Sequence, residues 1–268
     1  MAGMHLTSDD AQIFYTVMGD GPPVVLLHPF PANHKVWLPA AELMAGRYRL
    51  VLPDLRGHGQ SEAGNGPAAM EKHAADVLRL CDACGVGKAV FAGVSIGGYV
   101  LFEFWRRHRE RVAGLVLCDT RAGADGDQAR ANRLKAAEDV EKRGPVPFID
   151  SMVPKLLGDS TRTTRPDLVE RARHLMLEMS VGGIAAVQRG MAARPDSVAD
   201  LKTINVQTLL LVGNEDTVTP LTDAELMNRQ IAGSRLEVIA RAGHYAVFEQ
   251  HEAAGKAIRG FLDTIKAW

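Results

Sequence analysis

The sequence predicts an α/β fold, a mostly parallel β-sheet covered by helices, and two observations carry that expectation. Apolar runs of strand length alternate with longer helical patterns, as expected where each strand needs a crossover helix to reach its parallel neighbour. One stretch, from Arg121 to about Asp200, breaks the rhythm with helical segments and no convincing strand. A chain of 268 residues can bury a large core as one domain with an insertion. The expected division is a core of residues 1–120 and 201–268 and a helical insertion over 121–200.

Taken in order, Gln12 to Met18 reads as an early strand, rich in β-branched and aromatic residues. Pro23 to His28 contains the continuous apolar run Val24 to Leu27, the pattern of a strand buried on both faces. Pro31 to Gly46 is helical or loop-like, Tyr48 to Pro53 is a strand and Pro67 to Cys84 a helix. Lys88 to Val94 is the next strand, Ile96 to His108 a buried helix and Val112 to Asp119 a further strand. Beyond the insertion, Val206 to Gly213 and Arg235 to Ala240 are strands, and a closing amphipathic helix runs from about Tyr245.

Within 121–200 the helices are punctuated by Gly144-Pro145, Pro154, Gly158, Pro166 and Gly182-Gly183. The larger apolar residues there are Phe148, Met152, Leu156, Leu157, Met176, Met179 and Met191. A lid over a pocket and a plain helical subdomain packed on the sheet both fit this composition, and the methionines favour core over ligand contact.

Composition excludes several functions. A net charge of -1 and a pI near 6.8 provide no broad basic field for a phosphate backbone, so no nucleic acid is expected. No apolar run approaches the roughly 20 residues needed to span a bilayer. Asp9 and Asp10 interrupt the place where a secretory signal wants a continuous apolar stretch, so a cytoplasmic location is expected. The three cysteines suggest no disulfide framework; Cys81 and Cys84 form a CxxC inside a helical pattern and read as ordinary helix residues, and Cys118 as core. No HExxH, facial triad or carboxylate cluster calls for a metal, and no cofactor is expected.

Chemistry concentrates at Gly93-Val94-Ser95-Ile96-Gly97, a GxSxG between a strand and a helix. A side chain on so tight a turn collides with its neighbours unless glycines lie two residues to either side. The turn exposes Ser95 Oγ and places the Ile96 amide at a helix start, where unpaired N–H groups face a developing oxyanion. A serine hydroxyl needs a base, and the base needs a carboxylate. Asp216, after the strand ending at Gly213, and His244, after the last strand, both stand just beyond carboxyl ends of strands, where open α/β sheets bind ligands. Asp119, also at a strand end, is an alternative acid.

The order Ser95, Asp216, His244 resembles that of the α/β-hydrolase family, as do further segments over essentially the whole chain. The resemblance implies an eight-stranded, mostly parallel sheet with a helical cap after the sixth strand. Leu27-His28-Pro29-Phe30 resembles the oxyanion segment, which implies that Phe30 supplies an oxyanion N–H beside that of Ile96. Pro29 departs from the family's usual Gly; it removes its own N–H and leaves that of Phe30 available. His28 is read as support for that loop. Pro53-Asp54-Leu55-Arg56-Gly57-His58-Gly59-Gln60-Ser61 holds the right residue types for a rival site but no elbow, and in the family it is structural. Glu215 is expected to point away from the site, and His5, His34, His73, His108, His174 and His251 to lie at the surface.

The chain looks like the branch of small bacterial carboxylesterases and 3-oxoadipate enol-lactonases. That implies a small-molecule ester or lactone substrate, with Val218, Tyr245 and Met152 near the acyl group. A C–C bond hydrolase or lyase, or a slow-turnover receptor retaining the same residues, stays open, as does a homodimer.

Overall fold

The structure, a computed structural model, describes residues 3–266 and 268. Its strands are β1 (Met4–Ser8), β2 (Ala11–Met18), β3 (Pro23–Leu27), β4 (Arg49–Pro53), β5 (Ala89–Val94), β6 (Val112–Cys118), β7 (Gln207–Gly213) and β8 (Arg235–Ile239). They form one eight-stranded sheet in the order β1-β2-β4-β3-β5-β6-β7-β8. β1 and β2 pair antiparallel, as do β2 and β4, and every other pairing is parallel. From β3 the chain steps to β4 on one side and returns to β5 on the other, so the carboxyl ends of β3 and β5 flank the switch point where such sheets open a crevice.

Every residue of β5 and β6 is buried, which explains why their sequences are continuously apolar rather than alternating. Helix α1 (Leu38–Glu42) packs against the closing helices α10 (Ala246–Glu249) and α11 (His251–Leu262); α2 (Met70–Ala83) packs against α3 (Ile96–His108). α9 (Leu221–Gln230) covers β7 and β8. Among the described residues no helix is long and apolar enough to cross a membrane.

Between β6 and β7 the chain is helical: α4 (Asp127–Arg143), α5 (Pro145–Leu156), α6 (Asp159–Thr164), α7 (Pro166–Leu177) and α8 (Val181–Ala192). Gly144-Pro145 divides α4 from α5, with Gly144 at φ +77° and Pro145 opening the next helix. Gly158 and Pro166 open α6 and α7. Two expected breaks are absent: Pro154 lies in the last turn of α5, and Gly182-Gly183 lies in the first turn of α8, where Ser180 caps the Gly183 amide. The first turn of α8 tolerates its glycines because the Ser180 cap fixes it, whereas Pro154 lies inside α5 and gives up only its own bond to the carbonyl four residues before it. Leu156, Leu157, Met176, Met179 and Met191 are buried, whereas Phe148 and Met152 are half-buried.

The two ends of this insertion meet at one carboxylate. Asp125 accepts from Arg121 at 2.8 Å, from Arg194 at 3.0 Å and from Arg133. Burial pushes the Asp125 carboxyl up, but the hydrogen bonds and charges of Arg133 and Arg194 outweigh it and hold it at about 2. The Arg194 guanidinium also stacks 4.1 Å from the Tyr99 ring of α3.

Two elements escape the sequence reading. β1 is a mostly exposed edge strand, so no apolar run marks it. α9 is short and largely polar, with Ala224 and Met227 its buried residues. The closing helix is two helices, broken at Gln250.

Candidate active site

Ser95 occupies the turn from β5 to α3 with φ +53° and ψ -111°, a left-handed conformation that costs a non-glycine residue on the order of 1–3 kcal/mol. Its amide donates to the Cys118 carbonyl at 3.0 Å, and the Thr120 hydroxyl donates to its carbonyl at 2.8 Å, so the strained turn is tied to the end of β6. A methyl group on Gly93 would stand 2.5 Å from the Gly97 carbonyl carbon, and one on Gly97 would stand 2.6 Å from the Leu27 oxygen. Both glycines are therefore required by the close approach of helix to strand. Ser95 retains 8% exposure.

His244 Nε2 lies 2.8 Å from Ser95 Oγ, and His244 Nδ1 lies 2.8 Å from Asp216 Oδ2. Asp216 Oδ1 accepts the Val218 and Thr219 amides at 2.8 and 3.0 Å, and its Oδ2 accepts the Thr219 hydroxyl at 2.7 Å. Burial raises the Asp216 carboxyl, but the charge and hydrogen bond of His244 and the bonds from Thr219 outweigh it and hold it below its usual range. An ionised Asp216 places the proton on His244 Nδ1 and leaves Nε2 as an acceptor for the serine proton. His244 is 1% exposed and Asp216 6%, so bulk water screens this chain of bonds weakly. Thr219 was not singled out by sequence. The signal available was its place three residues after Asp216 in an Asx-type turn.

After β3, His28 anchors the next loop from both ring nitrogens. Nδ1–H donates to the Pro29 carbonyl at 2.9 Å and Nε2 accepts the Leu55 amide at 2.8 Å. Burial pulls His28 down to about 4, so the ring is neutral and can serve both partners. Ala32 also donates to the Pro29 carbonyl, at 3.1 Å. Because carbonyl and N–H of one trans peptide point in opposite directions, a Pro29 carbonyl held this way turns the Phe30 N–H to the other side. Among the described residues neither the Phe30 nor the Ile96 amide donates to a protein acceptor. Substitution of Pro29 for glycine thus leaves the expected donor unengaged.

The residues expected around an acyl group divide. Met152 and Val218 line a cleft of about 800 Å³, together with Phe148 of α5, Gln188 of α8 and the facing side of α4. Val218 ties it to the Asp216 turn, and Phe148 packs 6.0 Å from the Phe30 ring. Its wall also carries Arg133, Lys135, Arg143 and Lys155 against one acid, Asp139. Tyr245 does not line it. Its ring is 1% exposed and its hydroxyl donates to the Phe30 carbonyl at 3.0 Å, because the turn into α10 directs it into the core.

The acid and the hydroxyl of the rival segment are both engaged in structure. Asp54 Oδ1 accepts the His34 amide at 2.9 Å and its Nδ1 at 2.6 Å, and Oδ2 accepts the Gln60 amide at 2.9 Å. Ser61 Oγ donates to the Asp54 carbonyl at 2.6 Å and accepts the Phe14 amide at 2.8 Å. Asp119 accepts the Gly213 and Ala246 amides at 2.8 and 3.1 Å, joining the ends of β6 and β7 to α10; the carboxylate on His244 is that of Asp216. Glu215 turns to the insertion, where it accepts the Ser160 amide at 2.8 Å. His34 and His73 are buried, contrary to the surface placement expected of them, because the Asp54 loop closes over one and α2 faces the other inward. Cys81 and Cys84 are free, and burial pushes the Cys81 thiol up to about 12, which leaves it unreactive. Among the described residues no three His, Cys, Asp or Glu side chains assemble as a metal cluster requires.

A mostly parallel sheet in this order, with a serine raised on a strand-to-helix elbow at its carboxyl edge, is the architecture of the α/β hydrolases. The chain belongs to that family: residues 22–250 match the alpha/beta hydrolase fold. It is similar to 3-oxoadipate enol-lactonase 1 of Acinetobacter baylyi, with 28% identity over 92% of this chain and 91% of that one. AB hydrolase superfamily protein YisY of Bacillus subtilis shares 30% identity over 96% and 98%. Among solved structures, a malate-bound thermophilic esterase from Thermogutta terrifontis superposes with a TM-score of 0.95 at 39% identity, covering 98% of each chain.

Proposed function

We propose that the protein is a serine hydrolase of carboxylic esters or lactones with small to medium acyl groups. One observation carries the reading: the unbroken chain from Ser95 Oγ through the His244 ring to Asp216. Similarity to an enol-lactonase and an esterase supports it. Ser95 Oγ attacks the substrate carbonyl while His244 Nε2 takes its proton, and the Phe30 and Ile96 amides hold the tetrahedral oxyanion. His244 then protonates the departing alcohol or enol oxygen, leaving an acyl group on Ser95. Water activated by the same imidazole releases the acid and restores the serine. Residues 121–200 act as a cap, with Phe148, Met152 and Val218 receiving the acyl chain.

The test is turnover of p-nitrophenyl esters of increasing chain length and of small lactones. Ser95→Ala lowers kcat on the order of 10⁵-fold, and intact-mass measurement detects an acyl adduct on the natural chain alone. Absence of hydrolysis across the panel, or a Ser95→Ala variant that turns over normally, overturns the proposal. Cleavage of a diketone with negligible esterase activity would assign the same side chains to C–C bond chemistry instead.

A further inference from the structure

The segment Pro29-Phe30-Pro31 places prolines on both sides of the expected oxyanion donor. Neither proline has an N–H, so the loop lacks two backbone donors that could anchor it. The peptide plane before Phe30 is held through the Pro29 carbonyl by His28 and Ala32. The plane after it is held by a side chain from a distant part of the sequence: Tyr245 Oη donates to the Phe30 carbonyl at 3.0 Å, 215 positions away. Tyr245 is covalently next to His244. Its backbone is itself fixed, since its amide donates to Glu249 at 3.2 Å, and Glu249 also accepts the Gly243 amide at 2.9 Å.

We propose that Tyr245 is a positioning residue that locks the oxyanion loop to the loop bearing the base, setting the direction of the Phe30 N–H relative to the His244 imidazole. The role rests on the hydrolase reading above. Rotation about the Phe30 Cα requires its two flanking peptide planes to move relative to each other, and with both carbonyls bonded that rotation is blocked. Remove the hydroxyl and one plane is freed while the ring still fills its buried position. Burial raises the Tyr245 phenol well above its usual range, so the group remains a donor at any pH the fold tolerates.

The variant that tests this is Tyr245→Phe, read in two independent ways. Hydrogen–deuterium exchange of the peptide spanning residues 28–33 reports, without any substrate, the Ala32 amide, which is bonded to the Pro29 carbonyl across Phe30, and faster exchange in the variant is expected. In kinetics, kcat for a p-nitrophenyl ester falls roughly three- to tenfold with KM within about twofold, the scale of one lost hydrogen bond. The matching thiono ester, whose sulfur draws less from an oxyanion hole, loses less, so the oxo-to-thiono rate ratio drops. Unchanged exchange overturns the proposal, and so does an equal fall for both esters, which marks general damage. If the natural chain hydrolyses no ester, the functional reading fails, and the exchange result still decides the role of Tyr245.

Discussion

Two regions of the molecule pair a buried imidazole with a buried carboxylate and keep a serine close by in sequence or space. At the carboxyl edge of β5, His244 meets Asp216 at 2.8 Å; in the loop after β4, Asp54 meets His34 at 2.6 Å. What separates them is spare bonding capacity. Ser61 gives its proton to a main-chain carbonyl and accepts a main-chain amide, so its hydrogen is committed away from any base and its oxygen is held by the backbone. Ser95 Oγ is bonded to His244 Nε2 and is followed by the Ile96 amide, which donates to no acceptor among the described residues. Residue types alone do not distinguish the two regions; the bonds left over around each hydroxyl do.

Exchanging the acids should break this contrast if it is wrong. Asp216→Asn is expected to lower kcat on the order of 10³–10⁴-fold, because an amide no longer fixes the tautomer that leaves Nε2 free. Asp54→Asn is expected to leave kcat per folded molecule within about threefold. It should instead reduce unfolding free energy by about 2–4 kcal/mol in urea titration, through loss of the charged acceptor for His34 and Gln60. A reversal of these two outcomes would relocate the chemistry to the Asp54 loop.

A weaker effect sharpens the same division. His28, His58 and His73 cluster beneath the Asp54 loop, with ring centroids 4.8 Å apart for His28 and His58 and 6.4 Å apart for His58 and His73. Burial pulls all three down, His28 to about 4 and His73 to about 3, with neighbouring positive or potentially positive groups adding to it. Each is neutral when folded, whereas the unfolded chain takes up the proton near pH 6.5. Their stabilisation is therefore complete above about pH 6.5 and is lost as pH falls through that value towards 4, at up to about 1.4 kcal/mol per pH unit for each ring. His73→Phe should reduce that slope by about one ring's share between pH 6 and 4.5 in denaturant titrations. An unaltered slope would show that His73 is not a source of acid lability.

Local patterns were legible in the sequence and long-range ones were not. The Ser95 elbow was readable because the two glycines it needs lie two positions away, and the central strands β3 to β7 because buried strands carry apolar runs. Asp216 and His244 were readable by their places after strands. By contrast, β1 is an edge whose outward face carries no apolar signal. His34 and His73 are polar by type and buried by tertiary placement. Tyr245 pairs with a carbonyl on the far side of the chain, and Thr219 completes an acid's bonding through a turn that spacing only hints at.

The root of the insertion has one more consequence. The Leu156 carbonyl accepts the His244 amide at 2.9 Å, and Glu249 binds the Gly158 amide at 2.8 Å while also holding Gly243. Residues 156–158 therefore belong mechanically to the imidazole's own support, although they form the end of α5 and the turn after it. A chimaera that replaces this helical segment with another protein's should retain Leu156 to Gly158 and place its distal junctions beyond them, since a splice through that tripeptide would unseat the imidazole even if every transplanted helix folded well.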